Sequence, residues 1–291
     1  MSKQNKIIMK YPGSKAQIMQ YIYELIPPHK CWVDVFGGSA VVTLNKKPSK
    51  VEVYNDIDDT LVNLMRILAN ENDFNEFEKR IKYLLYARTE FNKYKEKYQK
   101  NDYINDIDKA ITRWYLGNIS FHGGLISYGQ SSLKPSQIIR YNNIKKNLMK
   151  IHHRLNNIFI ENLDYTQLIK LYDNNQTLFY CDPPYLMETR GRKGKGTKMY
   201  ENEMTNADHI QFLETITKIK GKAIISGYDS ELYNDYLSNW NKREIETISC
   251  NANLRYAVNK KRFHIIECLW YNYEHNTNFI NYNNLENNND K

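Results

Sequence analysis

The sequence predicts an α/β protein: an open sheet of about seven strands carrying an inserted helical subdomain. Three observations point there. Seven short apolar runs read as strands, at residues 31–36, 51–56, 158–163, 177–181, 222–226, 244–249 and 263–271. Helical periodicity falls between several of them, the alternation expected of βαβ units. From about residue 70 to residue 154 there is no convincing strand, and the pattern is helical.

Along the chain, residues 14–26 place Ile18, Ile22 and Leu25 on one helical face, and Ser14 stands where a helix cap is expected. Residues 59–69 repeat apolar positions at Leu61, Leu64, Met65 and Leu68. In the insert, residues 74–100 form one charged helical stretch with Phe77, Ile81, Leu84 and Leu85 apolar, 104–116 a second helix, and 135–155 a third bearing Lys145, Lys146, Lys150 and Arg154. Residues 207–219 repeat at Phe212, Ile216 and Ile219. The expected organisation is a main domain from residues 1–69 and 156–275, an insert from 70–155, and an Asn-rich, disordered tail from 276–291.

At 291 residues the chain is long enough for a sizeable core. Its charge of +8 and pI of about 9.0 favour an anionic partner such as nucleic acid. Twenty-four tyrosines are an unusual load. Surface aromatic rings that stack on bases would account for them, and so would an AT-rich coding bias. The four cysteines, Cys31, Cys181, Cys250 and Cys268, are far apart and lack C-x-x-C spacing, so they read as buried thiols of a reducing compartment rather than disulfides or zinc ligands. No signal peptide and no apolar run approaching a membrane span are found, so a cytoplasmic protein is expected.

Several motifs carry chemistry. Phe36-Gly37-Gly38-Ser39-Ala40 directly follows a strand, where glycine lets backbone approach a ligand. Asp56 ends the next strand, eighteen residues beyond Gly38. An acid at that distance accepts hydrogen bonds from ribose hydroxyls in nucleotide-binding folds. The glycine pair alone reads as an ordinary turn; Asp56 shifts the balance to a nucleotide site. Lys10-Tyr11-Pro12-Gly13-Ser14-Lys15 forms a tight turn before the first helix, and Lys15, badly placed for the helix dipole, reads alone as a solvated lysine beside a plain N-cap or, with the other motifs, as a residue serving an anionic ligand. The buried run 177–181 ends abruptly in Asp182-Pro183-Pro184-Tyr185, presenting a carboxylate and an aromatic ring at a strand's carboxyl end. Downstream, Arg190, Arg192, Lys193, Lys195 and Lys198 make a basic loop suited to phosphate contact or, more plainly, to solvent. Within the insert, residues 118–129 read as a loop that touches bases through Asn118, Ser120 and Tyr128, with Lys134 and Arg140 as further DNA contacts. His122 has no ligand partner nearby, and no metal site is expected.

These motifs, in this order over most of residues 7–272, resemble the Dam-like class of DNA adenine methyltransferases. The segment Tyr200-Glu201-Asn202-Glu203-Met204-Thr205, followed by Asp208-His209, is similar to that family's post-catalytic segment. The resemblance implies a Rossmann-like methyltransferase sheet, S-adenosylmethionine as cofactor and double-stranded DNA as partner, bound by a monomer or weak dimer. It implies cofactor contacts from Tyr11, Lys15, Asp34, Asp56 and Asp182, with Phe36 and Gly38 at the methionine end and Asp164 at the adenine. Asp182 and a backbone carbonyl of the proline pair would hold the target amine, and Tyr185 would stack on the flipped base. Two departures stand out: Tyr11 where the family often has Trp, and Ala40 where it often has Gly. RNA adenine or cytosine-N4 methylation, glutamine methylation, and a non-catalytic DNA-binding regulator with a relict cofactor fold are the alternatives.

Overall fold

Each of the seven apolar runs holds a strand in the computed structural model, which describes residues 5–130, 135–189, 202–248 and 264–275. Helix α1 (Met19–Leu25) leads to β1 (Cys31–Asp34), the short α2 (Val41–Asn45) and β2 (Val51–Asn55). Helices α3 (Asp59–Ala69), α4 (Glu71–Lys82), α5 (Arg88–Lys100), α6 (Asp106–Ile119) and α7 (Ser136–Leu155) follow. The chain then passes through β3 (Phe159–Glu161), α8 (Tyr165–Tyr172), β4 (Thr177–Cys181), α9 (Asn206–Ile216), β5 (Lys222–Tyr228), α10 (Glu231–Tyr236), β6 (Asn241–Ile248) and β7 (His264–Tyr271).

The strand order is β3-β2-β1-β4-β5-β7-β6. The β2–β3 and β4–β5 pairs are parallel, while β7 runs antiparallel to both β5 and β6. The order reverses direction between β1 and β4, the kind of switch point at which open α/β sheets bind ligands. All five residues of β4 are buried, so the strand reads as an unbroken apolar run rather than an alternation. Trp32 of β1 stacks on Tyr180 of β4, with ring centroids 5.6 Å apart.

The chain divides into two compact units. Among the described residues the first takes 5–15, 34–130, 135–164 and 202–203, and the second 16–33, 165–189, 204–248 and 264–275. One apolar core in the first unit joins Tyr54 of β2 to Leu61, Leu64, Met65 and Leu68 of α3 and to Phe74, Phe77, Trp114 and Leu148 of the later helices. Each such side chain contributes about 1.5–3 kcal/mol when fully buried. Helix α3 forms where its periodicity predicts, and Asp58 caps it by accepting from the Thr60 amide at 2.9 Å. A buried ion-pair cluster fastens β2 to α7: Glu52 meets Lys46 and, at 2.5 Å, Arg154. Burial acts to raise the Glu52 carboxyl, but the two cations outweigh it and hold the group below its ordinary value.

Two expectations change. The stretch 74–100 is two helices, broken at residues 83–87. No glycine or proline marks the break. Its freed carbonyls are taken by side chains from later helices: Tyr115 Oη donates to Leu85 O at 2.7 Å, and Tyr141 Oη and Lys145 Nζ donate to Leu84 O at 3.0 and 2.6 Å. Ser14 does not cap α1, which begins at Met19 behind Ile18 with no side-chain cap. Most of the described tyrosines are half-buried. Of the described tyrosines only Tyr21, Tyr83 and Tyr236 are exposed, whereas Tyr54, Tyr115, Tyr141, Tyr180 and Tyr233 are buried.

Candidate active site

The first unit builds a cradle from main chain. The turn after β1 is held by Gly37 N donating to Asn55 O and Ala40 N donating to Gly37 O, both at 2.7 Å. Gly38 has φ +50°, a left-handed conformation that glycine adopts without cost, and a Cβ there would meet the Tyr11 ring at 2.7 Å. Its amide donates to Asp56 Oδ2 at 2.8 Å, and Asp58 N donates to Asp56 Oδ1 at 2.8 Å. Beneath the turn, Tyr54 Oη donates to Gly38 O at 2.9 Å. Ala40 keeps the left-handed conformation (φ 55°) at the start of α2, a cost of about 1–2 kcal/mol for a residue with a Cβ.

Asp56 is 8 % exposed. Burial is the main reason its carboxyl rises to about 6, opposed by the Asp58 amide, reinforced by the Asp58 charge and opposed again by the Gly38 amide. A carboxylate has about four acceptor sites, so the two amides leave room for a ligand's hydroxyls. Asn55 ties the loop after β3 to β2: its Nδ2 donates to Leu163 O at 3.1 Å and its Oδ1 accepts from Leu163 N at 2.8 Å, leaving Asp164 exposed beyond. Asp34 is buried and accepts from Thr43 Oγ1 of α2 at 2.6 Å. Lys15 is buried too, its Nζ donating to Gly13 O at 2.9 Å. Phe36 is half-buried at the head of the turn.

Sequence reasoning missed Arg113. Buried on α6, it lies 3.7 Å from Asp58 Oδ2, and its guanidinium sits over the Tyr11 ring at 5.9 Å. An arginine inside an apolar helical repeat is the signal that could have found it.

The second unit holds the Asp182-Pro183-Pro184-Tyr185 motif at the end of β4. Asp182 and Pro184 are half-buried, and Pro183 and Tyr185 are buried. Tyr185 Oη donates to Glu267 Oε2 at 2.7 Å, and its ring meets that of Tyr228 edge-on. The Asp182 charge, after burial and Cys181, helps raise the Tyr233 phenol on α10. Tyr233 Oη in turn lies 2.8 Å from His209 Nδ1. Thr205 and Asp208 of the post-catalytic segment form a capping box for α9, the amide of each bonding the side chain of the other. Among the described residues one group of possible metal ligands gathers, Asp229, Glu244 and Cys268, and Lys242 already pairs with both carboxylates.

Helix α6 runs on through Asn118 and Ile119, so the expected loop begins only at Ser120; it closes through a Ser120–Tyr128 bridge and a bond from Gly129 N to Ile119 O at 2.8 Å. Asn118 and Ser120, expected at the bases, lie in the interior. Asn118 Nδ2 donates to Ile8 O and Trp114 O, and Ser120 Oγ accepts from Leu125 N. Both brace the loop from behind, while Phe121, His122 and Ile126 are exposed. Tyr128 is half-buried beneath the Arg88 guanidinium, 4.5 Å from its ring. The backbone at Gly123 packs on Lys10, where an added Cβ would lie 2.6 Å from the carbonyl. Burial, then the charge of Arg140, brings the Lys10 ammonium down to about 8, and burial followed by Lys10 lowers His122. Lys134, Arg190, Arg192, Lys193, Lys195 and Lys198 lie outside the described residues.

Among the described residues no helix is long and apolar enough to cross a membrane. A family model described as D12 class N6 adenine-specific DNA methyltransferase matches residues 11–253. Relatives include the DNA adenine methylase of Escherichia coli (strain K12), 22% identical over 273 residues that cover 89% of this chain and 94% of the relative. The DNA adenine methylase of Salmonella typhi is 23% identical over 244 residues, 80% of this chain and 84% of the relative. The modification methylase LlaI of Lactococcus lactis subsp. lactis is 25% identical over 194 residues; these cover 64% of this chain and only 31% of that longer protein. A match over this length places the protein in a family: it belongs to the D12 class of N6 adenine-specific DNA methyltransferases.

Proposed function

We propose that the protein transfers a methyl group from S-adenosylmethionine to N6 of an adenine flipped out of double-stranded DNA. The observation that carries this reading is the Asp182–Tyr185 motif: it leaves a fully buried strand at the switch point of the sheet, with its aromatic ring fixed from two sides.

Bound S-adenosylmethionine supplies an electrophilic methyl group. The chain's own residues fit it: Asp56 retains acceptor sites for ribose hydroxyls, and Tyr11 and Lys15 stand at the turn that packs on Gly38. Asp182 and a backbone carbonyl of the proline pair accept the two N–H groups of the target amine. This draws N6 towards tetrahedral geometry and frees a lone pair otherwise delocalised into the ring. The bond that N6 would form to the methyl carbon replaces the sulfur–methyl bond, whose electron pair would stay on the sulfur as a neutral thioether, and the proton that N6 sheds would pass to the Asp182 carboxylate. Tyr185 stacks on the base, offsetting the few kcal/mol that flipping costs. Lys10, Arg140 and the exposed edge of the 121–126 loop meet the DNA, where phosphates relieve the repulsion between the two cations.

The test is to incubate the protein with labelled S-adenosylmethionine and unmethylated genomic DNA, then map modified bases by single-molecule sequencing. N6-methyladenine in one short motif is the expected result. An unmodified genome, from protein that still binds the cofactor, would overturn the reading.

A further inference from the structure

The second unit grips Tyr185 with one cross-strand pair. Tyr228 closes β5, and Glu267 is its direct partner on antiparallel β7. The Tyr185 hydroxyl donates to Glu267 Oε2 at 2.7 Å, and the Tyr185 and Tyr228 rings meet at 60° with centroids 4.4 Å apart. A paired position on two strands is a rigid mount, so both contacts keep a fixed geometry relative to each other. Tyr185 is 8 % exposed and Glu267 half-buried, so the phenol bonds a carboxylate in a partly shielded setting, where a charge-assisted hydrogen bond is stronger than in water.

We infer that Glu267 is a positioning residue of the reaction, acting through the Tyr185 phenol, an inference that rests on the adenine reading above. Two effects follow from the bond. It fixes the plane of the ring against which the flipped base stacks. It also draws the phenol proton towards the carboxylate, which leaves more electron density on the ring. The purine acquires positive charge as N6 takes the methyl group, and an electron-rich ring face favours a cation. The second effect therefore falls on the transition state more than on the bound substrate, so the rate at saturation carries it.

The experiment is single-turnover methylation of unmethylated genomic DNA at saturating cofactor and DNA, with cofactor affinity measured alongside by calorimetry. The proteins compared are the wild type, Glu267→Gln, Glu267→Ala, Tyr185→Phe and the Glu267→Ala/Tyr185→Phe double variant. Glu267→Ala should lose on the order of 10- to 100-fold in rate, with KM for DNA and affinity for cofactor changed by less than about twofold. Glu267→Gln, whose amide oxygen can accept the same hydrogen bond, should recover part of that loss. Tyr185→Phe removes the same bond, so the double variant should be no slower than the slower single variant. A Glu267→Ala protein at the wild-type rate, single losses that multiply in the double variant, or a loss confined to cofactor affinity would each overturn the inference. A wild-type protein that leaves adenine unmodified would sink the adenine reading itself, and this inference with it; wild-type turnover beside an indifferent Glu267→Ala removes the inference alone.

Discussion

The glycine turn of the first unit is held by amides and carbonyls: Gly37 to Asn55, Gly38 and Asp58 to Asp56, Ala40 to Gly37. The Asp182–Tyr185 motif of the second unit relies on proline rings and on side chains from β5 and β7, among them Tyr228 and Glu267. A main-chain cradle is indifferent to many side-chain exchanges but intolerant of an added Cβ. A side-chain clamp depends on particular functional groups. Damage to the first should therefore appear in cofactor binding, and damage to the second in turnover.

The largest expected effect lies in the second unit. Asp182→Ala should cut methylation by on the order of 10³-fold, as loss of a key electrostatic group does elsewhere, while DNA binding stays largely intact in a gel-shift assay. Near-normal turnover in that variant would break the comparison at its strongest point. Next comes Gly38→Ala. It adds a Cβ 2.7 Å from the Tyr11 ring on a backbone at φ +50°, a cost of about 1–3 kcal/mol. Calorimetry should show cofactor affinity reduced roughly 10- to 100-fold, with turnover at saturating cofactor reduced far less.

Asp56 offers a pH test of intermediate size. Its carboxyl is raised to about 6, and ribose hydroxyls donating to it would favour the charged form. Cofactor affinity should be full above that pH and should fall as pH drops through it, by at most about tenfold per unit. The contribution of Asp56 to the stability of the free protein has the opposite slope. With the folded pKa above the unfolded one, the folded state binds the extra proton, and stability rises as pH falls from about 6 towards about 4. Asp56→Asn should flatten the affinity profile, and an unchanged profile would remove Asp56 from the cofactor site. The smallest effect concerns Lys10, lowered to about 8 beside Arg140 and His122. Phosphate favours its charged form, so DNA affinity should weaken about threefold or more between pH 7 and 9, and Lys10→Arg should abolish that slope.

Much of this was legible in the sequence. Helix α3 and strand β4 match their expected limits because each is an uninterrupted apolar pattern with a polar stop: Asp58 before the helix, Asp182-Pro183 after the strand. Short helices α2, α8 and α10 carry too few turns for periodicity to register. The break at residues 83–87 has no local mark because Tyr115, Tyr141 and Lys145, thirty to sixty residues away, are what satisfy its carbonyls. The candidate site divides in the same way. Gly38 and Asp56 are legible because a strand and a turn fix their spacing, whereas Glu267 lies 82 residues beyond Tyr185 and looks like any polar residue of a strand. Asn118 and Ser120 show the reverse error, since residue polarity says nothing about which way a side chain points: Asn118 lies in the last turn of α6 and Ser120 caps it, and both face inward. Asn118 bonds the backbone of Ile8 and Trp114, and Ser120 that of Leu125.

Tyr54 lies fully buried in the core of the first unit, yet its hydroxyl carries Gly38 O and its ring fills the space a Cβ at Gly37 would need. The cradle thus has no floor of its own. The Gly37 and Ala40 amides should exchange with deuterium only when the surrounding core opens, more slowly than their place in a turn implies. A drifting sequence faces the same coupling: a core substitution that shifts Tyr54 shifts the turn as well, so neither the sheet nor the cradle is free to vary alone.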